Sequence, residues 1–284
     1  MSDWVFSDGD FIRREDASLK LSNRSLNYGD GLFESIRIVN GTPLFFNDHW
    51  ERLNHGMELC GFATERLSAS EIRNIADKLI DKNKVKGGRL KLLIYRDTEG
   101  FYRPKTDKVQ CLMSTNETEH DCFVWNNKGL QTGLYTAIKK PYNLLSEIKS
   151  TSALMYVLAA REARENGWDE VFLLNESGLL CEGSSTSIFM VDENHTIHTP
   201  ALNQAPLPGV MRKNAIRLIR EAGMTCTERA IAAEELLTAR EVFVTNAIQG
   251  IRWVVSYREK RYYNTFGKKV FELLQDEVAK LRSV

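Results

Sequence analysis

The stretch EIKSTSALMYVLAAREA, residues 147–163, decides the fold once it is joined to LLCEGSSTSIF, residues 179–189. Lys149 lies where a strand pattern gives way to a helix pattern, and Glu182 belongs to a later strand pattern. A lysine amine can form a Schiff base, and a carboxylate can hold a heterocyclic nitrogen protonated. Either residue alone would be an ordinary charge at the end of a strand. Together they favour an enzyme that works through a heterocyclic aldehyde cofactor.

The composition is typical of a globular protein with two modest domains. The chain has 284 residues, of which 43% are hydrophobic and 27% charged, and a soft rule of about 150 residues per domain predicts two. Lys and Arg together number 38, as do Asp and Glu. No net field would therefore attract nucleic acid or an anionic membrane. Since no run approaches the roughly 18 apolar residues of a membrane helix, we expect neither as a partner.

Cysteine and histidine usage points to a reduced, metal-free protein. The five cysteines are odd in number and form no CxxC motif, which favours free thiols and a cytoplasmic location. The five histidines show no metal-ligand spacing with carboxylates or thiols, so we expect no metal. The N-terminal residues MSDWVFSDGDFIRREDASLK contain no apolar targeting segment.

The N-terminal third mixes strands and helices in an α+β order. Strand patterns around turns at 8–9 and 40–43 predict two hairpins. Helix patterns follow at 47–62 and 68–83, the second with a capping-box pattern. The polar stretch 114–121 predicts a domain boundary. The expected organisation is an N-terminal α+β domain at 1–115, an interdomain linker region at 116–130, and a C-terminal, strand-rich, cofactor-binding domain at 131–284.

The C-terminal part alternates strand and helix patterns. Strands are predicted at 130–138, 170–174, 187–191, 196–199, 241–245 and 251–257. Helices are predicted at 150–166, 210–222 and 266–281. No repeat or low-complexity segment interrupts this order.

Seven motifs in register carry a family resemblance. They are LNYGDGLFESIR at 26–37, HWERL at 49–53, EIKS at 147–150, VLAAREA at 157–163, EGSSTSIF at 182–189, LPGVMR at 207–212 and EVFVTNA at 241–247. With these motifs the chain resembles the class IV aminotransferases, fold-type IV enzymes dependent on pyridoxal 5'-phosphate. Members include branched-chain and D-amino-acid aminotransferases and aminodeoxychorismate lyases. The resemblance implies a two-domain α+β fold like that of D-amino-acid aminotransferase, with the cofactor bound between the domains of a homodimer that shares its active sites.

The resemblance also assigns roles to individual residues. It implies that Lys149 forms the Schiff base with the cofactor and later carries the proton between substrate and cofactor. This agrees with its chemistry, because a lysine released from a Schiff base can act as a base. It implies that Glu182 faces the pyridine nitrogen, where a negative charge favours the protonated ring.

The cofactor phosphate requires its own partners. The family pattern assigns this role to Arg52, Val210, Met211, Asn246 and Ala247. A guanidinium suits bidentate phosphate contacts, and amides at the start of a helix point toward an anion. Many relatives have threonine where Met211 stands, and several aminotransferases have a hydroxyl residue in the turn at 246–247. Both departures resemble the lyase branch.

Substrate recognition stays open at the level of sequence. A substrate carboxylate calls for an arginine, and Arg37 and Arg89 fall where branched-chain enzymes place arginines near the pocket. However, Gly87 stands where those enzymes usually carry tyrosine. The loop GFYRP at 100–104 lacks the carboxylate trap of the D-specific enzymes, and Phe33 replaces a tyrosine of theirs. The expected substrates are therefore a D-amino acid or a branched-chain L-amino acid, with a 2-oxo acid as acceptor.

Three functions are compatible with these residues. The first is transamination by a ping-pong mechanism. The second is 4-amino-4-deoxychorismate lyase activity, which releases pyruvate and is favoured by Met211 and by the Asn246–Ala247 pair. The third is a cofactor-binding protein without catalysis, which the presence of both Lys149 and Glu182 disfavours.

Overall fold

The computed structural model describes residues 3–64 and 67–281. These residues form two compact units. The first comprises Met1–Cys122 with Ile148–Ser152, and the second comprises Phe123–Glu147 with Ala153–Val284. The outermost residues of the expected domains, 1–2 and 282–284, lie outside the described residues. No described helix is long and apolar enough to cross a membrane.

The first unit is a six-stranded antiparallel sheet with two long helices packed on one face. Its strands are β1 (Trp4–Ser7), β2 (Asp10–Arg13), β3 (Gly31–Val39), β4 (Thr42–Pro43), β5 (Gly87–Arg96) and β6 (Val109–Glu117), in the spatial order β2-β1-β6-β5-β3-β4. Its helices are α1 (Arg24–Tyr28), α2 (Phe46–Leu59) and α3 (Ala69–Lys82), with a 3₁₀ turn at Arg14–Asp16.

The two faces of this sheet differ because successive residues of a strand point to opposite sides. Leu32 and Ile36 of β3 and Leu90 of β5 lie on the face toward the helices. They are buried with Leu53 and Met57 of α2 in one apolar core. The intervening residues of both strands therefore lie on the opposite face, which carries Arg37, Arg89 and Lys91.

The predicted hairpins are present, with two differences at their edges. They form β1–β2 and β3–β4, but the second turn is shorter than the predicted 40–43, since Thr42–Pro43 form β4 and α2 begins at Phe46. The sequence assigned residues 116–117 to the interdomain linker. They instead end β6, because the backbone of this strand stays paired with β5 as far as Glu117 opposite Gly88.

Residues 148–152 pair with the first unit, although the sequence assigned them to the C-terminal domain. The Phe33 amide donates to the Lys149 carbonyl at 2.9 Å. This extended pairing with β3 delays the helix predicted from residue 150. The helix, α4, spans Leu154–Glu165.

The second unit is built on a mixed nine-stranded sheet. Its strands are β7 (Leu130–Lys140), β8 (Glu170–Asn175), β9 (Leu180–Gly183), β10 (Ser187–Val191), β11 (Ile197–Pro200), β12 (Cys226–Arg229), β13 (Glu241–Asn246), β14 (Gly250–Tyr257) and β15 (Lys260–Arg261). The spatial order is β12-β11-β10-β13-β14-β7-β8-β9, with β15 paired to β14. Besides α4, the helices are α5 (Val210–Glu221) and α6 (Thr265–Leu281), with 3₁₀ turns at Leu144–Glu147, Leu202–Gln204 and Ala233–Leu237.

The sequence predicted six of the nine strands of this unit and missed the short strands β9, β12 and β15, and it placed the start of α4 too early. All six predicted strands and the two later helices lie within two residues of their predicted bounds. Helix α4 packs Ala159 and Ala163 against Val171 and Leu173 of β8. These small side chains allow close approach of the helix to the sheet, and Tyr156 in the first turn of α4 reaches Glu182 of β9 by a hydrogen bond.

Candidate active site

Lys149 lies in the extended segment that pairs with the start of β3. Its Nζ atom is 4.5 Å from the centroid of the Phe33 ring, a distance at which an ammonium is attracted to an aromatic face. Phe33 alternates with the buried residues Leu32 and Glu34, so its ring lies on the face away from the helical core. The amine of Lys149 is therefore presented on the polar face of the sheet.

The same face carries a group of cationic side chains. Arg37 lies directly opposite Arg89 across the β3–β5 pair, and Lys91 follows Arg89 on the same face. The Nζ atom of Lys91 is 5.5 Å from the centroid of the Phe33 ring that also meets Lys149. Such a surface attracts anions such as carboxylates. The sequence analysis proposed Arg37 and Arg89 but missed Lys91, although its two-residue spacing from Arg89 was readable.

The Arg37 guanidinium is bound by the chain itself. It is 5% exposed, donates to Thr118 Oγ1 at 2.9 Å, and donates to the carbonyl oxygens of His120 and Cys122. These bonds hold the segment after β6 against the sheet. A contact between Arg37 and a substrate stays a prediction.

Arg52 forms a buried ion pair on the helix side of the sheet. Its Nε and one terminal nitrogen donate to the two oxygens of Glu34 at 2.8 and 2.6 Å, and His49 Nδ1 lies 2.7 Å from the same carboxylate. Burial pushes the pKa of Glu34 up, but Arg52 and His49 outweigh it and lower that pKa to about 2. Glu34 therefore fixes the orientation of Arg52. The phosphate role of Arg52 stays a prediction.

Glu182 lies at the end of β9, 5% exposed. Its Oε1 accepts hydrogen bonds from Lys140 Nζ at 2.5 Å and from the Tyr156 hydroxyl at 2.8 Å. Its Oε2 accepts the Leu207 amide at 2.9 Å. Buried carboxylates need such partners, since an isolated buried charge is costly. The carboxylate is thus held rigidly by three elements of the second unit.

The turn after Glu182 is held by a second buried carboxylate, Glu170 of β8. Glu170 accepts the Ser184 amide at 3.0 Å, the Ser184 hydroxyl at 2.5 Å and the Thr186 hydroxyl at 2.9 Å. A side chain at Gly183 would place its Cβ 2.2 Å from Thr186 Oγ1. Glycine is therefore required for this tight turn, which fixes the position of Glu182 at its start.

The start of α5 lies against a buried hydroxyl pair. A Cβ at Gly209, the residue before the helix, would fall 2.7 Å from Ser187 Oγ. Ser187 is directly opposite Thr245 in the β10–β13 pair, so both side chains lie on the same face. Thr245 is 1% exposed, and its hydroxyl has no hydrogen-bond partner among the residues that the structure describes.

This orphaned hydroxyl is informative because buried polar atoms in proteins are almost always paired. The backbone amides of Val210 and Met211 are the first two of α5, and such amides have no partner within their own helix. A buried hydroxyl beside a helix start suits an anion such as a phosphate. The donor set therefore fits a phosphate-bearing cofactor.

Asn246 and Ala247 begin the turn between β13 and β14. The Asn246 side chain accepts the amides of Ile248 at 3.0 Å and Gln249 at 2.7 Å. It thus closes the turn, because an asparagine side chain can accept hydrogen bonds from backbone amides two and three residues further along the chain. The orphaned Thr245 hydroxyl directly precedes it in sequence. A phosphate contact by Asn246 or Ala247 stays a prediction.

The sequence and structure can now be compared with known proteins. A family model described as amino-transferase class IV matches residues 31–257, most of the chain. The chain belongs to this family. The expected resemblance and the assignment to pyridoxal-phosphate-dependent enzymes of the transaminase class are therefore confirmed at the level of the family.

Two relatives of this chain differ in the substrates that their names give. The D-alanine aminotransferase of Bacillus licheniformis is 27% identical over 244 residues, which cover 85% of this chain and 84% of that protein. The branched-chain-amino-acid aminotransferase of Escherichia coli is 27% identical over 263 residues, which cover 86% of this chain and 81% of that protein.

Solved class IV structures confirm the fold. An Escherichia coli branched-chain amino acid aminotransferase superposes with a TM-score of 0.88 at 22% identity, covering 96% of this chain and 93% of that one. A Legionella pneumophila protein provisionally assigned as a 4-amino-4-deoxychorismate lyase superposes with a TM-score of 0.84 at 24% identity, covering 93% and 96%. At these identities the likeness shows the fold alone, which is the expected fold-type IV architecture.

Proposed function

We propose that this protein is a pyridoxal-phosphate-dependent aminotransferase, which moves an amino group from an amino acid to a 2-oxo acid in two half-reactions. One observation carries the proposal. The segment LPGV at 207–210 joins the Glu182 carboxylate, bound by the Leu207 amide, to the start of α5 at Gly209. A carboxylate suited to a ring nitrogen and a helix start suited to a phosphate are thus linked by one short stretch of chain.

The chain's own residues have separable tasks in this reaction. When bound, pyridoxal phosphate supplies an electron sink for the bond that breaks at the substrate Cα. Lys149 would hold the cofactor at its aldehyde carbon, and its amine, when free, would carry the Cα proton. Glu182 keeps a negative charge at the ring nitrogen.

The phosphate is proposed to lie at the start of α5. The amides of Val210 and Met211 donate to it, with the Thr245 and Ser187 hydroxyls beside them. Asn246 and Ala247 line the adjoining turn. The family pattern also assigns the phosphate to Arg52, whose guanidinium is oriented by Glu34. Charge-assisted hydrogen bonds of this kind are the strong ones in proteins.

Replacing Thr245 with valine tests the phosphate assignment. The change removes a buried hydroxyl that has no partner among the described residues, so the cofactor-free protein should be as stable as wild type or slightly more stable. Loss of a hydrogen bond to a charged group, worth about 1.5–3 kcal/mol, should weaken pyridoxal phosphate binding by about 10- to 100-fold. Fluorescence titration and thermal unfolding measure the two effects.

Thr199 provides the matched control. It is fully buried, but its hydroxyl already donates to the Ile188 carbonyl at 2.8 Å. Thr199→Val should therefore lower stability by about 1 kcal/mol and leave cofactor affinity unchanged. If Thr245→Val binds the cofactor like wild type, the phosphate does not contact this hydroxyl.

We assign the substrate carboxylate to Arg89, with Arg37 holding the segment after β6 and contributing positive charge from the opposite strand. Both are carried on strands, which position charges better than loops do. The side-chain class of the substrate remains between D-amino acids and branched-chain L-amino acids, in keeping with the names of the two relatives.

A homodimer is supported by exposed apolar groups on the first unit. Leu21, Phe101 and Tyr102 are 89%, 84% and 88% exposed. Arg24 is buried and donates to the carbonyl oxygens of Gly100 and Phe101, so the loop that carries Phe101 and Tyr102 is held in place. Exposed apolar groups on an ordered loop are typical of an interface. The five free thiols support a cytoplasmic location.

The function is tested by giving the yellow, cofactor-loaded protein an amino acid without an acceptor. A transaminase stores the amino group on the cofactor, so the aldehyde-form absorption should disappear in a 1:1 ratio to enzyme and return on addition of a 2-oxo acid. A panel of D- and L-amino acids identifies the donor. If no donor converts the cofactor while aminodeoxychorismate alone yields pyruvate, the protein is a lyase, as Met211 and Asn246–Ala247 would favour.

A further inference from the structure

Glu182 is the residue on which this inference depends. A carboxylate has about four lone-pair positions, two on each oxygen. Among the described residues, Oε1 accepts from Lys140 and Tyr156 and Oε2 accepts from Leu207. The donors thus saturate Oε1 and leave one position on Oε2. Any ring nitrogen that meets this carboxylate must do so at Oε2.

Lys140 and Glu182 form a buried pair of opposite charges, 4% and 5% exposed. Removing either partner from such a pair leaves an uncompensated buried charge. The neighbouring Lys139 is exposed, so the two consecutive lysines at the end of β7 have different environments. Only Lys140 reaches the carboxylate.

Tyr156, on the first turn of α4, completes the arrangement. Burial, and then the Glu182 charge, raise the pKa of Tyr156 well above its ordinary value. Its hydroxyl therefore stays protonated and can only be a donor to Oε1. It fixes the rotation of the carboxylate about the Lys140 contact.

We infer that Lys140 and Tyr156 are positioning residues that keep Glu182 ionised and present its Oε2 alone to the ring nitrogen of the cofactor. This rests on the proposed function, because it concerns the same cofactor. Whether Lys140 favours or opposes a protonated ring nitrogen depends on how far its ammonium lies from each of the two charges. The ammonium is in contact with Oε1 and farther from any group bound at Oε2, so its attraction to the carboxylate exceeds its repulsion of a protonated nitrogen. Lys140 thereby favours the proton on the nitrogen and not on Glu182.

The first experiment uses the full-length protein stripped of cofactor. In Lys140→Met, the buried carboxylate loses its cation and should take up a proton more readily. The groups facing it are then Tyr156 and Cys181, both protonated near neutrality, since burial and the Glu182 charge raise the pKa of Cys181 to about 12. A native state that prefers the protonated acid is stable at low pH and loses stability as pH rises.

The expected result is a fall in the unfolding midpoint of Lys140→Met relative to wild type that is larger at pH 8 than at pH 5.5. Lys140→Arg should follow wild type, because it restores the cation. Lys139→Met is the matched control for loss of a lysine. Its unfolding midpoint should differ from that of wild type by a small amount that is the same at both pH values. Adding Glu182→Gln to Lys140→Met should remove the pH dependence.

The second experiment uses protein loaded with pyridoxal phosphate labelled with ¹⁵N in the ring. Wild type, Lys139→Met and Lys140→Arg should show the chemical shift of a protonated ring nitrogen at pH 7.5. Lys140→Met should move toward the unprotonated shift. It should also raise the cofactor dissociation constant at least about tenfold when residue 182 is Glu, but less than about twofold when it is Gln.

Two results would overturn the inference. One is an equal effect of Lys140→Met on cofactor binding in the Glu182 and Glu182→Gln backgrounds, which would mean that Lys140 does not act through Glu182. The other is a protonated ring nitrogen in Lys140→Met. If wild type binds no pyridoxal phosphate, the proposed function fails, and the stripped-protein experiment still decides whether Lys140 keeps Glu182 ionised.

Discussion

Replacing Lys149 with alanine should abolish amino transfer in a protein that still folds. The covalent link to the cofactor is lost, and so is the amine proposed to move the Cα proton. Proton transfer by a positioned side chain contributes about 10²- to 10⁴-fold to rates, so turnover should fall by at least that factor. Folding should be preserved because Lys149 is held to β3 through its backbone carbonyl. Steady-state rates and thermal unfolding measure the two outcomes.

Lys91 is the appropriate control for this change, because its Nζ also meets the Phe33 ring. Borohydride reduction of the loaded wild-type protein, followed by peptide mapping, should find the cofactor label on Lys149. Lys91→Ala should retain that label, whereas Lys149→Ala should lose it. Label on any other lysine of the wild type would end the assignment of Lys149.

The backbone part of this architecture was readable because its signals are local. Strand patterns and turn residues predicted the six longer strands of the second unit, and helical periodicity predicted its helices. The late start of α4 was not readable. Ser150, Thr151 and Ser152 are all candidate N-cap residues, so the sequence allows several start points for the helix. The extended conformation of 148–152 depends on pairing with a strand more than a hundred residues earlier.

The site was predictable only where one residue type does the chemistry. Lys149 and Glu182 were found because an amine and a carboxylate are required. Lys140 was missed because two lysines end β7 and the sequence does not say which one is buried. Thr245 was missed for a similar reason. Threonine is common in strands, so the sequence does not show that this hydroxyl is buried without a partner.

Glu34 had a readable signal that the sequence analysis did not use. In GLFESIRIV it occupies the same face as Leu32 and Ile36, which are buried. A carboxylate at an inward position requires a buried partner. The pattern therefore predicts a cation on the helix packed against β3, and Arg52 meets that requirement.

Replacing Arg52 with methionine should destabilise the first unit and not merely weaken cofactor binding. Glu34 is 1% exposed, and removal of one partner of a buried pair costs about 3–5 kcal/mol. The unfolding midpoint of the cofactor-free protein should therefore fall by roughly 10 °C. Arg73→Met is the matched control. Arg73 pairs with Asp77 at 2.8 Å, but on the surface, so its loss should cost less than about 1 kcal/mol.

The pH dependence of the free energy of unfolding shows whether the loss of stability in Arg52→Met comes from the charge of Glu34. The pKa of Glu34 is lowered in the folded protein to about 2, whereas an unfolded glutamate titrates near 4.3. This ion pair therefore stabilises wild type fully above about pH 4.5, and the stabilisation is lost as pH falls toward 2. The lowering from 4.5 to about 2 corresponds to about 3 kcal/mol. Arg52→Met should lack this acid-dependent loss, and Glu34→Gln added to it should recover stability at neutral pH. An Arg52→Met protein that unfolds like wild type without cofactor, yet binds pyridoxal phosphate weakly, would show instead that Arg52 serves the phosphate alone.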